Sequence, residues 1–238
     1  MTITTSSLTR AAGAAAAVAG LLFIGVQVNH PAMDVSSVES TEWVLRNTAK
    51  VVLSALALGG VTGMYLRQVR QTGWLGLVGW ALSAVGFLVM GSVAFVAAYV
   101  LPTLADTAPR YVDDLLVAAS GGHPVGDIGL MQGVLLVSAV AYVGGGVTLG
   151  VAMFRARVLA RWAAALLALG CGATVLLSVL PHSFERPMAV PAGVALIGLG
   201  VSLWRNATQT SIAAPADVSS PDASSPDASV PAVARAVR

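Results

Sequence analysis

Six apolar runs, each about as long as a helix needs to cross roughly 30 Å of hydrocarbon, constrain this chain more than any other feature. They cover approximately residues 10–28, 47–66, 74–101, 128–153, 160–180 and 187–204. A lipid interior offers the backbone no hydrogen-bonding partner, so runs of this length are accommodated as helices. Composition agrees: 56% of residues are hydrophobic, 10% are charged, and the mean hydropathy is +0.81. A soluble domain carries about 25% charged residues. The expected fold is all-α, a polytopic transmembrane bundle of six helices occupying residues 1–206.

Loop charge sets the expected orientation, because Lys and Arg gather on the cytoplasmic side of short loops. With the N-terminus inside, the cytoplasmic segments hold Arg10, Arg67, Arg70, Arg155, Arg157, Arg161 and Arg205, and no acid before the tail. The outer loops hold Arg46, Lys50, Arg110 and Arg186 among eight acids, from Asp34 to Glu185. Both termini are therefore expected in the cytoplasm. The first run, with a lone Arg10 and an Ala-rich centre, also suits a signal peptide. Its length and the lack of a clean small-x-small site favour a retained anchor. Twelve arginines against one lysine, with abundant Ala, Val and Gly, suggest a GC-rich bacterial gene and hence a plasma membrane. The arginines are spread over separate loops, which argues against a nucleic-acid partner. Membrane lipids, a protein partner or a second copy of the chain are the expected partners.

Helices two and three can be laid over helices four and five. GGVTGMYLRQVRQTGW (59–74) and GGVTLGVAMFRARVLARW (145–162) each end one helix, turn through arginines and start the next at tryptophan. Val100-Leu101-Pro102 and Val179-Leu180-Pro181 close the two returning helices. One reading is a parallel repeat, related by an axis along the membrane normal. The other is that Gly59-x-x-x-Gly63 and Gly146-x-x-x-Gly150 serve close packing, while Arg and Trp suit any inner interface. Both readings make helices two and four the expected tightest pair. Beyond Trp204 the doubled Ser-Ser-Pro-Asp-Ala unit of 219–228 marks residues 207–238 as a disordered cytoplasmic Ala/Pro/Ser/Asp tail.

Stringent catalytic motifs are missing from the sequence. It contains no His-Glu-x-x-His, no Gly-x-Ser-x-Gly and no Walker loop. No histidine falls in an expected helix, which disfavours bilayer-embedded haem. One cysteine, Cys171, allows no intramolecular disulfide and no multi-thiolate metal site. With Lys50 counted among the outer loops, the helix interiors lack Asp, Glu, Lys and Arg, so a proton-driven carrier is disfavoured. No cofactor is expected. A small central pocket is one candidate site, around Tyr142, Gly144, Gly145, Thr62 and Thr148, against the alternative that these small and hydroxylated residues simply pack helices.

The outer loop YVDDLLVAASGGHPVGDIG (111–129) gathers three aspartates and a histidine. Its first part is amphipathic, with Tyr111, Val112, Leu115, Leu116 and Ala119 at three- and four-residue spacing, and reads as a surface helix. Thr107 or Asp106 is expected to cap it, Arg110 to pair with Asp113 and Asp114, Gly121 and Gly122 to stop it, and Asp127 to cap helix four. His30, His123 and His182, with Asp113 and Glu185, form a second candidate site on the outer face if the bundle brings them together.

FRARVLARWAAALLALG (154–170), a short basic turn leading into Arg-Trp and an apolar, Gly-containing helix, resembles a pattern in uncharacterised bacterial six-helix membrane proteins. The likeness covers helices four and five. It implies a fold and a location, and supplies no activity and no functional residues. The residues favour a non-enzymatic membrane protein acting through partners or lipids. The alternatives are a small-molecule or ion binder or carrier and, more weakly, an outer-face enzyme.

Overall fold

A computed structural model of the chain describes residues 4–28, 30–177 and 189–212. Among these residues there are nine helices and no strand. Long helices follow the apolar runs: α1 (Thr5–Gly25), α3 (Thr41–Arg67), α4 (Val69–Tyr99), α7 (Met131–Ala156), α8 (Arg161–Leu177) and α9 (Ala189–Ile212). Three short helices join them at one end: α2 (Val35–Val38), α5 (Leu101–Thr107) and α6 (Pro109–Ala119). Of the long helices, α1, α3, α4 and α7 are long and apolar enough to cross a membrane.

Local chemistry explains where the helices differ from the apolar runs. Helix α1 starts before Arg10 because Thr4 and Ser7 form a reciprocal capping box that draws a polar segment into the first turn. Ser40 Oγ accepts from Trp43 N at 3.2 Å and starts α3 well before residue 47. In α4 a single helical turn precedes Gly73, whose φ of 55° only glycine adopts without strain, and the straight helix runs on from Trp74. Asp34 caps α2; hydrogen bonds from Ser36 and Ser37 hold its carboxyl below the usual carboxylate range. Helix α9 continues to Ile212, past the expected tail boundary at 207.

The six long helices pack in a ring in the order α1, α3, α4, α7, α8, α9, and α9 returns to α1. Neighbours are antiparallel, as pairs of small residues show. Gly13 meets Gly200 and Gly20 meets Gly193, so close that a Cβ at Gly13 would lie 2.7 Å from the Gly200 carbonyl oxygen. Along α4 and α7, Gly79, Ser83 and Gly86 face Leu149, Gly145 and Tyr142. Helices α3 and α7, expected to be the tightest pair, do not pack together, because α4 lies between them. The sequence marks which faces carry glycine but not which neighbour those faces meet. The ring's outer surface is hydrocarbon, with Leu21, Leu45, Leu88, Leu136 and Leu169 all exposed. In water such a surface would be costly; in lipid it costs nothing, and the four membrane-length helices are compatible with an integral membrane protein.

One end of the ring carries seven of the nine described arginines, while Arg46 and Arg110 lie at the other. At the arginine-rich end Ser6 Oγ donates to Ala207 O at 3.4 Å, Ala160 N to Ser202 Oγ at 3.0 Å and Asn206 Nδ2 to Val158 O at 3.2 Å, tying α1, α9 and the α7–α8 turn together. The other end is capped by α2, α5 and α6 around a second apolar cluster of Val38, Trp43, Leu101, Val112, Leu115, Leu116 and Ile128.

The glycine seams make a paired prediction. Gly20→Val, placed where α1 touches the α9 backbone, should destabilise the solubilised protein by about 1–3 kcal/mol through overpacking. Gly59→Ala, on a helix face with nothing within 4 Å, should cause no loss. Thermal unfolding of both variants in the same detergent checks this ordering.

Candidate functional site

The most informative face of the bundle belongs to α3. Trp43, Asn47, Lys50 and Ser54 recur at intervals of four, three and four residues, so all four lie along one side of the helix. That side looks into the ring: Trp43 is 2% exposed, Asn47 3% and Ser54 4%. Polar groups at such positions need partners. Trp43 Nε1 donates to Ala97 O of α4 at 2.8 Å, Asn47 Nδ2 to Trp43 O at 3.0 Å and Ser54 Oγ to Lys50 O at 2.7 Å.

Lys50, the only lysine of the chain, is half-buried within this row. Its Nζ lies 3.3 Å from Asn47 Oδ1 and 3.0 Å from His30 Nε2. The histidine tautomer follows from its other contact. His30 Nδ1 is 2.9 Å from the Pro31 carbonyl oxygen, which can only accept, so Nδ1 carries the proton and the Nε2 lone pair accepts from Lys50. The edge of the His30 ring also packs on Trp43, with centroids 6.2 Å apart. Helix α3 is roughly 40 Å long at 1.5 Å per residue, and Lys50 lies roughly 14 Å from its start. An ammonium on the inner face of such an apolar helix is costly unless polar or charged groups hold it.

Lys50 and Asn47 line a chamber of about 290 Å³. Phe23 of α1, Val26 just after it, Leu53 of α3 and Met90, Ala94 and Ala97 of α4 form much of its wall. Met131, Leu135 and Ser138 of α7 complete the described side, and Leu115, Leu116 and Ala119 of α6 lie over it. Met33 and Ala119 line the chamber and are also exposed, so it opens at the capped end beside them. The position of the chamber has a packing cause. Helices α4 and α7 touch through glycine as far as Gly86 and Tyr142; beyond that point they face each other through Met90, Ala94, Leu135 and Ser138, and space remains.

Helix α6 covers the chamber because its sequence is amphipathic, burying Val112, Leu115 and Leu116. It stops as expected at the two glycines: Gly121, at φ 79°, donates to Ala118 O and Gly122 to Val117 O. Its start and its acids differ from expectation. Ala108, not Thr107 or Asp106, occupies the cap position without a side-chain bond, because α5 continues through both residues and Pro109 at the first position removes one donor that would need a cap. Asp114 does not pair with Arg110. Its Oδ1 accepts from Val125 N at 2.8 Å and Gly126 N at 3.1 Å, holding the following loop against α6. The one described ion pair is Arg46 with Glu42, at 2.7 Å. Asp127 turns its own loop by accepting from Gly129 N at 2.7 Å, and Leu130 takes the cap position of α7.

The histidine cluster is only partly described. His30 sits at the chamber, while His123 and Asp113 are exposed on the capping loop and α6; His182 and Glu185 lie outside the described residues. Among the described residues no three of His, Cys, Asp and Glu come close enough together to hold a metal ion. In the centre of the bundle, Tyr142 stacks on Phe23 and, with Gly146 and Cys171, borders a void of about 20 Å³, the space of about one water molecule. Gly145 is packed on Ser83, Gly144 approaches Leu82, and Thr148 is half-buried on α7. Thr62 Oγ1 accepts from Trp80 Nε1 at 3.1 Å and donates to Leu58 O at 2.7 Å.

Charge alone groups Lys50 with the loop cations. The signal that marks it is the spacing Trp43, Asn47, Lys50, Ser54, which places the lysine on a polar helix face. The arrangement suits recognition: a cation and amide groups at one wall of an otherwise apolar space. Comparison of the chain with protein-family models, curated proteins and solved structures finds no match in any of the three, so the chamber is read from its own geometry.

Proposed function

We propose that this chain is a six-span protein of a bacterial plasma membrane that binds a small, largely apolar molecule in the outer half of its bundle. The observation that carries this reading is the chamber of about 290 Å³ between α1, α3, α4 and α7, with Lys50 and Asn47 on one wall.

The orientation rests on charge: the arginine end is cytoplasmic and the capped end, with the chamber mouth, faces outward. An amphipathic α6 then lies at the outer lipid boundary, where its apolar face closes the chamber. This reading displaces the central pocket around Tyr142, whose void holds little more than a water. A role exercised only through protein partners has no comparable feature behind it.

Two measurements test the proposal. Native mass spectrometry of gently extracted protein should show a small adduct on the wild type that is lost from Ala94→Phe, which fills the chamber, and kept by Leu136→Phe on the lipid-facing surface. A wild type without an adduct, or an adduct indifferent to Ala94→Phe, would contradict it. In a Cys171→Ala background, His123→Cys should react with an impermeant maleimide on intact cells, and Arg157→Cys only after the membrane is opened. The reverse pattern would invert the orientation.

A further inference from the structure

We infer that the ring of Phe23 is the floor of the chamber and sets the length of the molecule the chamber takes, by shutting it off from a second compartment at the centre of the bundle. The inference rests on the binding role proposed above and names the residue that selects among ligands. Among the described residues, Phe23 alone lines both the chamber of about 290 Å³ and the void of about 20 Å³ beside Tyr142. The walls of the two run on from one another. On α4, Phe87 of the void lies three residues before Met90 of the chamber; on α7, Tyr142 of the void lies four residues after Ser138 of the chamber. Steps of three and four keep one helix face and move about 5 Å along the axis, so the void lies directly beneath the chamber.

The sequence of α1 makes Phe23 the stopper. Gly13, Ala16, Ala19 and Gly20 are the other buried residues of this helix, so Phe23 is the one large side chain that it inserts into the ring of helices. The Phe23 ring stacks on Tyr142 with centroids 6.3 Å apart and planes 13° from parallel, which holds a flat, stiff barrier across the bundle. At roughly 30 Å³ per water, the chamber has about ten water volumes, room for a molecule of about ten heavy atoms. A longer one meets the Phe23 ring, and forcing extra atoms into a filled site is costly. Without that ring, chamber and void become one space that reaches Cys171, which lines the void and is buried. The end of the ligand that meets this floor is apolar, because Phe23 offers it no hydrogen bond.

The test uses the only cysteine of the chain as reporter. Full-length protein in a maltoside detergent is treated with hexyl methanethiosulfonate, an apolar thiol reagent whose head must reach Cys171 while its chain lies in the chamber, and modification is followed by intact mass. Phe23→Ala should raise the rate at Cys171 at least tenfold over wild type. Adding Ala94→Phe, which fills the chamber, should return it to the wild-type rate. Leu196→Ala, which enlarges the void without touching the chamber, should react as slowly as wild type. A Phe23→Ala protein no faster than wild type, or one whose speed survives Ala94→Phe, overturns the inference. So does a Leu196→Ala protein as fast as Phe23→Ala, since loosened packing would then account for both. The binding role itself stands or falls on the wild-type adduct and its loss in Ala94→Phe, so the two failures are read separately.

Discussion

Backbone-to-backbone contact through glycine decides where this bundle is solid and where it is hollow. Between α4 and α7 the contacts run from Gly79 against Leu149 through Gly145 against Ser83 to Gly86 against Tyr142, and there they end. Between α1 and α9, Gly13 with Gly200 and Gly20 with Gly193 close the ring. Because lipid supplies no hydrophobic drive to bring helices together, such close approaches are the main attraction available. Where the glycines cease between α4 and α7, larger side chains hold the helices apart. The chamber occupies that interval, and the capping cluster around Trp43 and Leu116 closes over it.

Within that space the polar row of α3 follows a single economy. Every polar side chain on it meets a neighbour: Trp43 reaches Ala97, Asn47 reaches Trp43, and Lys50 reaches Asn47 and His30. The row fixes α3 to α4 and to the segment after α1. It also presents a positive charge to an apolar wall. A network of this kind rigidifies its surroundings when every member is satisfied, and orients the cation before any ligand arrives.

Much of the helical architecture was legible because hydrophobic periodicity and stop signals act locally. The amphipathic spacing of Tyr111 to Ala119 gave α6, and Gly121 with Gly122 gave its end, since only neighbouring residues matter to either. Pairing of helices was not legible: the glycines of 59–63 and 146–150 look alike in sequence, yet Gly60 and Gly63 meet α1 whereas Gly146 and Gly150 meet α8. Local signals also failed where two bonding choices compete. Helical spacing pairs Asp114 with Arg110, but the amides of Val125 and Gly126, eleven and twelve residues away, take it instead. Lys50 lies only three residues inside the run that begins near 47, so charge alone groups it with the outer loop; Ser40 starts the helix a turn and a half earlier and places the lysine well within it.

The contrast between a solid and a hollow half is tested most directly by a cysteine scan along α7 in a Cys171→Ala background, using a small thiol reagent on protein in lipid nanodiscs. Cysteines at Leu135 and Ser138, on the chamber wall, should react, and those at Gly145 and Leu149, on the glycine seam, should stay inert. Uniformly inert positions, or reactivity at Gly145 and Leu149 equal to that at Ser138, would contradict the account.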